Sequence, residues 1–580
     1  MRRKSLLFTL LLCAVPSFVF SMTEGYILCG SYGGTKTYLF DKSGAVVHTW
    51  DHSGLSDNLN GYSCYLLENG NLLRSGQTNN EVSSGAAPKQ GTLSEIGFNG
   101  NVIWGWYDHA TKKQMMHHDF KPMPNGNVLC VSFITFAKDS ALALGLDSSV
   151  FSSSGMMGGM APIGGGGSSS IELEKIFEFT PDRTGAGNHQ IIWEWNIWDH
   201  IIPKEQATDH PELFSGDLGP TFFGQWVHLN GIDYNAERDL ITFTSRIFSE
   251  MFIIDHSTST AEAAGHTGGT YGKGGDIVFR WGKPSNFCIS TTVADTDTVV
   301  TGWGTRKDTI YNITLTKTHE NDYLRCLHCP NFIPAGYQGA GNVLFFHNNV
   351  NAGMAQLGMS EAVEVALPDP LTLAINTPSA PLAPTWKYCP AAGTDSMFSA
   401  SMSSALRMKC GNTLIHEAYP GGNYSAQGSR VREVNQAGEV IWGPISLEPQ
   451  ESDTTDSTDT GETSGFIMPG FNAAKIMYYP EDYPGIVKLF QASGIKGART
   501  GAAVKTVKSF TVALRGRELR FGNVEGAVIT ICSLRGKQVD RFAASRVNMS
   551  YPTTSLAAGT YLVTVALEGN HLTRLINIVR

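Results

Sequence analysis

The chain lacks sustained helical periodicity of apolar residues, and after its first residues it has no apolar run that approaches ~20 residues. The first absence argues against a helical protein, and the second argues against a segment that spans a membrane. An excess of basic residues is also missing, since the formal net charge is −9. Phosphate backbones repel a chain of this charge, which argues against nucleic acid as a partner.

The 580 residues include 63 glycines and 11 tryptophans, together with short apolar runs that are interrupted by turn residues. Runs of this kind are typical of β-strands. A chain of this length can also bury a large core. The composition therefore predicts an all-β protein.

The first 21 residues have the pattern of a secretory signal peptide. Residues 2–4 are basic, residues 6 to about 15 are apolar, and Ser21 ends a small-residue cleavage site. We therefore expect residues 1–21 to be removed and the chain to be exported to the periplasm, the outer cell surface or the medium. A lipoprotein anchor at Cys13 is a weaker alternative, because Leu12 stands where a small residue is expected. The nine other cysteines are an odd number, so at least one thiol is unpaired within the chain.

One unit recurs along the chain, a strand pair that ends in a glycine turn and a tryptophan-bearing strand. A second piece, an apolar strand led by a turn, precedes most copies, as in "LLENGNLLRSG" and "PMPNGNVLCVS". Four strands in each of six units predict a six-bladed β-propeller over residues 22–495, with a central channel. The copies are "TYLFDKSGAVVHTW", "GTLSEIGFNGNVIWGW", "KIFEFTPDRTGAGNHQIIWEW", "MFIIDHSTST…GGDIVFRW", "AVEVALPDPLTL…APTW" and "RVREVNQAGEVIWG".

Three units place a histidine at one equivalent position. His118 lies seven residues before Asn125, the first asparagine of the "PNGN" turn, and alignment of the turns gives His228 in "WVHLNGIDYN" and His328 in "CLHCPNFIPAG". The same position holds Tyr62 and Ser403 in two other units. Equivalent positions in a propeller lie on a ring around its axis, so we expect these side chains to meet at one channel mouth.

Two other interpretations of these histidines are a purely structural role for each and a zinc site, since three imidazoles suit zinc. Asp119 adjoins His118, but no carboxylate recurs beside the other two histidines. Arg246 lies at the far end of the strand that begins near His228, and its charge favours anion chemistry. The sequence therefore predicts no metal and no cofactor at this position.

The stretch Tyr26 to Phe490 resembles the bacterial arylsulfate sulfotransferases, six-bladed propellers that move a sulfuryl group between phenols without a nucleotide donor. The most specific segment is "WVHLNGIDYNAERDLITFTSRIFSEMFIIDHST", followed by "GKGGDIVFRWGKP". In that family an H-x-N segment and a downstream S-R supply an active-site histidine, a supporting asparagine and an anion-binding arginine. The resemblance assigns these parts to His228, Asn230 and Arg246.

Two further family segments have counterparts here. The "HHD" segment corresponds to His118, with His117 as the alternative register. The family's nucleophilic histidine lies in Q-H-[DT]-A, and the matching histidine is His328. Leu327 replaces the glutamine, Cys329 replaces the Asp or Thr, and "FHNN" stands where "FDNG" often follows.

The resemblance implies aryl sulfates and phenols as substrates, and the residue types suit this chemistry. A sulfate monoester reacts through a loose transition state, so the protein needs a nucleophile and fixed positive donors. We assign His328 as nucleophile, Arg246 and His118 as donors to the sulfuryl oxygens, and His228 as general acid and base toward the phenol oxygen. Asn230 would orient His228. A non-catalytic binding propeller and a sulfate ester hydrolase that uses water are the alternatives.

Two local motifs invite other functions. "GGTYGKGGD" around Lys273 suggests a phosphate loop, but it lacks the G-x-x-x-x-G-K-[ST] spacing and leads into a strand. Cys326-x-x-Cys329 suggests haem attachment, but Pro330 stands where the histidine is needed. The first motif is interpreted as a glycine hairpin, and the second as a disulfide or two inert thiols.

The remaining segments lie in loops and in a tail. Ser152 to Ser170 and the acidic stretch Glu451 to Gly465 are predicted flexible insertions. Residues 496–508 form a linker, and the alternating pattern of residues 509–580 predicts a small β-sandwich. "ITICSLRGKQV" and "LAAGTYLVTV" resemble the C-terminal sorting domains of type IX secretion cargo, which implies the secretion machinery as a partner. Carbohydrate-binding or spacer sandwiches are the alternative.

Overall fold

The structure is a computed structural model. Contacts between Cα atoms divide the chain into two compact units, Met1–Ala498 and Arg499–Arg580. The first unit is described at residues 22–77, 90–107, 114–151, 169–207, 209–218, 224–282, 286, 293–300, 310–317, 326–350, 358–371, 383–390, 396–421, 428–447 and 471–493. The second unit is described at residues 511–515, 518–522, 528–533, 538–546, 548–557, 559–567 and 570–578.

The first unit contains six four-stranded antiparallel sheets, so the predicted six-bladed β-propeller is confirmed. Blade 1 consists of β1 (Tyr26–Gly30), β2 (Lys36–Phe40) and β3 (Val46–Asp51), with β28 (Met477–Tyr479) on the free side of β1. Blade 2 contains β4 (Asn60–Leu66), β5 (Leu72–Gln77), β6 (Gly91–Ile96) and β7 (Val102–Tyr107). Blade 3 contains β8 (Gln114–Pro122), β9 (Val128–Ala137), β10 (Ser170–Thr180) and β11 (Gln190–Asn196).

The other three blades continue in chain order. Blade 4 contains β14 (Leu229–Asn235), β15 (Leu240–Ser245), β16 (Glu250–Asp255) and β17 (Ile277–Gly282). Blade 5 contains β20 (Leu327–Phe332), β21 (Val343–His347), β22 (Glu361–Val365) and β23 (Trp386–Tyr388). Blade 6 contains β24 (Ser404–Arg407), β25 (Thr413–Glu417), β26 (Arg430–Val434) and β27 (Val440–Ser446).

The first strand of each blade is the inner one, and neighbouring blades meet there, as β8 lies against β14 and β14 against β20. In blade 1 this inner position belongs to β28, from the far end of the propeller sequence. The ring is therefore closed by pairing of β28 with β1. The turn-led pieces recognised in the sequence form the second strands of the other five blades, each directly after an inner strand, and no such piece follows β28. The closing strand is therefore an addition from the structure.

A recurrent hydrogen bond joins the turn that follows the inner strand to the third strand in four of the blades. In blade 2, Asn71 Nδ2 donates to Glu95 Oε1 (2.7 Å), and in blade 3 Asn127 Nδ2 donates to Glu178 Oε1 (2.6 Å). These bonds satisfy glutamates that are buried between blades, where an unpaired carboxylate would be costly. Blades 5 and 6 repeat the contact from Asn342 to Glu364 and from Asn412 to Glu433.

Several smaller elements of the first unit lie outside the six blades. They are the parallel pair β12 (Ile201–Ile202) and β13 (Phe214–Ser215), the hairpin β18 (Val293–Val300) and β19 (Ile310–Lys317), and the helices α1 (Lys138–Ala143), α2 (Thr260–Ala263) and α3 (Pro484–Ser493). Among the described residues, no helix is long and apolar enough to cross a membrane.

The second unit contains two antiparallel sheets. Leu519 and Phe521 of one sheet share an apolar cluster with Ile529, Ile531 and Val563 of the other. The predicted sandwich and its sorting role stay predictions. The strands are β29 (Thr511–Arg515), β30 (Glu518–Gly522) and β33 (Asn548–Pro552) in the first sheet, and β31 (Val528–Ser533), β32 (Gln538–Ala543), β34 (Gly559–Leu567) and β35 (Asn570–Ile578) in the second.

Several predicted segments lie outside the described residues. They are the signal peptide at 1–21, the linker at 496–508, the insertion from Glu451 to Gly465, and all but the last two residues of the insertion from Ser152 to Ser170.

Candidate active site

The inner strands that carry the predicted histidines are bent close to the axis. The pairing register of β8, β14 and β20 shifts beside these residues. His118 and His228 have φ values of 55° and 54°, which cost about 1–3 kcal/mol for a non-glycine residue unless contacts impose them. Glu174 Oε1 accepts a hydrogen bond from the His228 backbone N–H (2.7 Å), and Gln90 donates to the His118 carbonyl. These contacts fix both bends.

His118, His228 and His328, the axial histidines, lie together as the alignment of the repeats predicts. The ring centroids of His118 and His228 are 4.6 Å apart. His328 is close enough to lower the pKa of both His118 and His228. His117 adjoins the group, because its Nδ1 lies 2.7 Å from His118 Nδ1. One of these two nitrogens donates and the other accepts, so the two rings hold each other in place.

Arg246 supplies the positive charge of the group. It follows β15, its backbone N–H donates to the His228 carbonyl (3.2 Å), and its side chain is buried. Burial, and then the charge of Arg246, lowers the pKa of His328 to about 3. The pKa of His228 falls well below its usual value for the same reasons. The axial imidazoles are therefore neutral at physiological pH, beside a guanidinium that stays charged.

Asn348 fixes the tautomer of His328. The Asn348 Nδ2 donates to the carbonyls of Ser399 (2.8 Å) and Met402 (3.2 Å), so its Oδ1 faces His328 Nδ1 at 2.5 Å. An amide oxygen only accepts, hence Nδ1 of His328 carries the proton. The neutral ring then has its lone pair on Nε2, which is the atom a nucleophilic histidine needs.

Asn230 bonds to the backbone of the neighbouring blade. Its Nδ2 donates to the Leu327 carbonyl (2.6 Å), and its Oδ1 accepts from Thr244 Oγ1 (2.7 Å). The sequence assigns Asn230 to His228, whereas these bonds hold the residue that precedes His328. Asn230 thus ties the strand of one axial histidine to the strand of another.

A buried ion pair lies beside the axial histidines and joins four blades. Lys475 Nζ is 2.7 Å from Asp119 Oδ2, and both side chains are almost completely buried. The same carboxylate accepts from Ser63 Oγ (2.5 Å) and from the Ile232 N–H (3.2 Å), while Lys475 also donates to Tyr65 Oη (3.0 Å). Because Lys475 precedes β28, the pair connects the closing strand to blades 2, 3 and 4.

An apolar wall adjoins the axial group. Tyr62 lies 5.3 Å from His118 between ring centroids, and it clusters with Cys329, Ala474, Tyr32 and Met402. Tyr62 and Ser403 are the residues that the alignment of the turns places at the histidine position in blades 2 and 6. The ring of equivalent positions thus combines imidazoles with an aromatic surface.

The two cysteines beside His328 are free thiols rather than a disulfide. Burial raises the pKa of Cys329 to about 12, so the thiol is un-ionised and unreactive at neutral pH. Of the two interpretations of the Cys326-x-x-Cys329 motif, the structure has the inert thiols.

A carboxyl group close to the site is kept neutral. Burial raises the pKa of Glu174 to about 8, and the nearby Glu172 has its pKa raised to about 7, again chiefly by burial. At neutral pH most Glu174 side chains are therefore protonated. An anion that approaches Arg246 meets little repulsion from Glu174.

The described residues bring three potential metal ligands to one point at His200, His266 and Asp276, and not at the axial histidines. The axial histidines and Arg246 thus provide hydrogen-bond donors and the Nε2 lone pair of His328. Among the described residues, the ligand atoms of these histidines do not converge on one point.

Sequence reasoning does not identify Asn348, Glu174 or Lys475. Asn348 lies in "FHNN", the counterpart of the family segment "FDNG", so that motif could have marked it. The other two have no local signal, because they reach the axis from the third strand of blade 3 and from the closing strand.

Comparisons with solved structures return distant matches. They include hydrazine synthase from Kuenenia stuttgartiensis (10% identity, 40% of this chain and 49% of that chain, TM-score 0.23). A putative 6-phosphogluconolactonase from Bacteroides fragilis (9%, 79% and 98%, 0.31) and a periplasmic gluconolactonase from Pseudomonas aeruginosa (12%, 73% and 97%, 0.28) also match. At these scores we infer nothing from them.

No curated protein matches the chain. A family model does: residues 182–443 match the model described as arylsulfotransferase (ASST), which supports that family for this chain. The matched segment includes His228, Asn230, Arg246 and His328.

Proposed function

We propose that the chain transfers a sulfuryl group from a phenolic sulfate ester to a second phenol through a sulfohistidine at His328, without a nucleotide donor. The observation that carries this proposal is the grouping of the neutral axial imidazoles with the buried cation Arg246. The family match over residues 182–443 supports the reaction class.

In the first half-reaction, Nε2 of His328 attacks the sulfur and the bond from sulfur to the phenolic oxygen breaks. The phenolate keeps the electron pair of that bond. Arg246 and His118 donate to the non-bridging oxygens, whose charge must be held during transfer. In the second half-reaction the oxygen of an acceptor phenol attacks the sulfur, the N–S bond breaks, and His328 returns to its neutral form.

His228 handles the phenolic proton. Its lowered pKa keeps it neutral in the free protein, so it can take the proton of the acceptor phenol. A bound sulfate ester brings negative charge to the group, which raises the affinity of His228 for a proton. The imidazolium left by one acceptor can then protonate the phenolate that leaves from the next donor, and the proton balance closes over a cycle.

The wall of Tyr32, Tyr62 and Met402 supports an aromatic substrate. A phenyl ring gains by contact with aromatic and thioether groups, whereas an inorganic anion does not. This wall lies beside His118, on the ring of residues that includes the nucleophile.

The test uses the full chain with an aryl sulfate whose phenol is coloured. We expect release of the coloured phenol to accelerate when a second phenol is added, with parallel initial-rate lines. After rapid quenching of enzyme and donor alone, intact mass should show one sulfuryl group, which peptide mapping places on His328. His328→Ala should lower transfer by about 10⁴-fold or more. His416→Ala is the control, because His416 is also a buried histidine with its pKa lowered to about 3.

Three outcomes would redirect the proposal. A label on His118 or His228 would move the nucleophile. Release that the second phenol does not accelerate would favour a hydrolase that uses water. An absence of release, with the ester still bound, would favour a binding propeller, the alternative suggested by Leu327 and Cys329 beside His328.

We also propose that the chain is exported and that residues 509–580 form a sandwich that directs it to type IX secretion machinery. The signal-like first 21 residues and the two sheets with a shared core support this. The test compares the full chain with one that ends at residue 495, each expressed in its own host and followed by fractionation. The full chain should reach the outer surface or the medium, and the shorter one should stay in the periplasm. Equal distribution of both would contradict the sorting role.

A further inference from the structure

A second group of histidines lies at the end of blade 4 that is opposite to the axial histidines. His200 ends a 3₁₀ helix (Ile197–His200) that follows β11, His266 follows α2, and Asp276 directly precedes β17. β17 is the outer strand of blade 4. Its first residue pairs with the end of β16, and its last residue pairs with the start of β16, which is also the end where β15 leads to Arg246. The group is therefore at the opposite end of the blade from the axial histidines.

The three side chains converge on one carboxylate oxygen. Asp276 Oδ1 lies 2.9 Å from His200 Nδ1 and 2.8 Å from His266 Nδ1. The three candidate ligand atoms all lie within 4.8 Å of one another. His200 and Asp276 are buried, whereas the His266 side chain is 59% exposed. One face of the group is thus open to water.

Counting hydrogens shows that His200 carries more contacts than a neutral ring can satisfy. Its Nε2 lies 2.9 Å from the Ala263 carbonyl, and its Nδ1 faces Asp276. Both partners are acceptors, but a neutral imidazole has one N–H. If Nε2 holds the hydrogen, the Nδ1 lone pair points at a carboxylate oxygen. A metal ion between the two atoms would accept both lone pairs.

The surroundings match those of a metal-ligating histidine. Such a ring normally donates its other N–H to a carbonyl or carboxylate, as His200 does to Ala263. The ring also stacks on Trp195 (centroids 5.5 Å apart, planes 7° apart), which holds its orientation. Trp195 Nε1 in turn donates to the Gly275 carbonyl (2.7 Å). The ring plane and the tautomer are both set before any ion arrives.

The contacts of this group explain the glycines in the loop "GGTYGKGGD". A Cβ at Gly275 would lie 2.0 Å from the Ala263 carbonyl oxygen and 2.7 Å from His200 Nε2, so only glycine fits there. Gly274 has a φ of 58°, which turns the chain toward Asp276. The loop thus brings a carboxylate against two imidazoles rather than a nest of amides against a phosphate.

We propose that His200, His266 and Asp276 bind one zinc ion that joins the segment after β11 to the loop before β17. Two imidazole nitrogens and one carboxylate oxygen suit zinc, whereas calcium and magnesium prefer oxygen ligands alone. A water on the exposed side of His266 completes four ligands. The site is remote from the axial group and its ligands come from three separate segments, so a bound zinc ion would hold these segments together.

The test measures zinc binding by the full-length protein. The protein is stripped with a chelator, dialysed, titrated with zinc against a chromogenic competitor, and then analysed for metal content. We expect one zinc per chain, a melting temperature that rises with zinc, and a tetrahedral spectrum when cobalt replaces zinc. His266→Ala and Asp276→Asn should each weaken binding by about 10²-fold or more, as expected for a lost ligand.

The controls separate this site from other histidines. His210→Ala removes an exposed histidine with one carboxylate partner, Glu212, and should leave binding unchanged. His328→Ala should also leave it unchanged, because zinc on the axial histidines would respond to that variant instead. Sulfuryl transfer at 25 °C should survive both chelation and His266→Ala, so failure of the zinc site does not imply failure of the proposed reaction. Absence of zinc binding by the unaltered protein, or binding that neither ligand variant weakens, would overturn the proposal.

Discussion

Two groups of histidines in this propeller lie in opposite electrostatic settings. The axial histidines share their space with Arg246, and burial with this cation lowers the pKa of His328 to about 3. The rim histidines, His200, His256 and His266, face carboxylates instead. His256 lies between Glu178 (3.0 Å) and Asp239 (2.7 Å).

The pKa of His256 is raised, because hydrogen bonds to these two carboxylates outweigh the burial that alone would lower it. At pH values below this raised pKa, the charged ring ties β10 of blade 3 to the turn after β14 of blade 4. An imidazole beside a cation is kept neutral and can act as nucleophile or base, whereas one between carboxylates is kept charged and connects blades. The partner rather than the residue type decides which role a buried histidine has.

Removal of Arg246, the cation of the axial group, should have the largest effect, on the rate of sulfuryl transfer. Arg246→Ala takes away the cation that we propose holds the sulfuryl oxygens, so we expect kcat/KM for transfer to fall by about 10²- to 10³-fold, as for loss of an oxyanion donor. Arg246→Lys should recover part of the rate, because the charge returns without the planar fork. The measurement is steady-state transfer, with circular dichroism to check the fold. A loss of less than about fivefold would mean that Arg246 does not contact the transferred group.

Asn348 is expected to matter less, since it acts through His328. Asn348→Leu removes the acceptor that holds the proton on Nδ1, so the lone pair is no longer fixed on Nε2. We expect kcat to fall by about 10- to 10²-fold with KM nearly unchanged. Asn348→Asp keeps an acceptor at the same place and should retain more of the rate than the leucine variant. Equal losses in both variants, or a change confined to KM, would contradict the positioning role.

The sequence predicts the contrast only in part. The spacing from each turn places His118, His228 and His328 at one level, because a repeat preserves the register of its inner strand. Asn348 contacts His328 from the next strand of the same blade, at a distance set by strand pairing rather than by spacing from a turn.

The closing strand is harder to predict. β28 has only three residues and lies apart from any tryptophan-bearing unit, so neither the sixth inner strand nor Lys475 has a repeat to mark it. The raised pKa of His256 depends in part on Glu178 of the neighbouring blade 3, which no local pattern shows. The structure is needed wherever the partner comes from a neighbouring sheet.

Substitution of His256 should have a smaller effect, and that effect is on the free energy of unfolding. Its pKa is raised in the folded state, so the stabilisation is complete below the unfolded value of about 6.5 and is lost as the pH rises through the folded pKa. His256→Gln should therefore lower the free energy of unfolding by about 1–2 kcal/mol at pH 5.5, and by less at pH 9. Urea unfolding at both pH values measures this, and transfer activity should be unchanged. A larger loss at pH 9 than at pH 5.5 would contradict a charged His256.

The smallest expected change is that of kcat/KM for transfer between pH 7 and pH 5. An ordinary histidine with a pKa of about 6.5 loses roughly 25-fold of its neutral form between pH 7 and pH 5. His328, with a pKa of about 3, stays neutral throughout that range. We therefore expect kcat/KM, which reports the free enzyme, to change by less than about threefold from pH 7 to pH 5.

Burial of neutral axial histidines also makes the fold less stable as the pH falls from 6.5 toward 3, because the unfolded chain binds protons there that the folded chain does not. Fluorescence at each pH must therefore show that the protein is still folded. A fall in kcat/KM with an apparent pKa near 6.5, in protein that is still folded, would mean that burial and Arg246 do not keep the nucleophile neutral, and the contrast with the rim would fail.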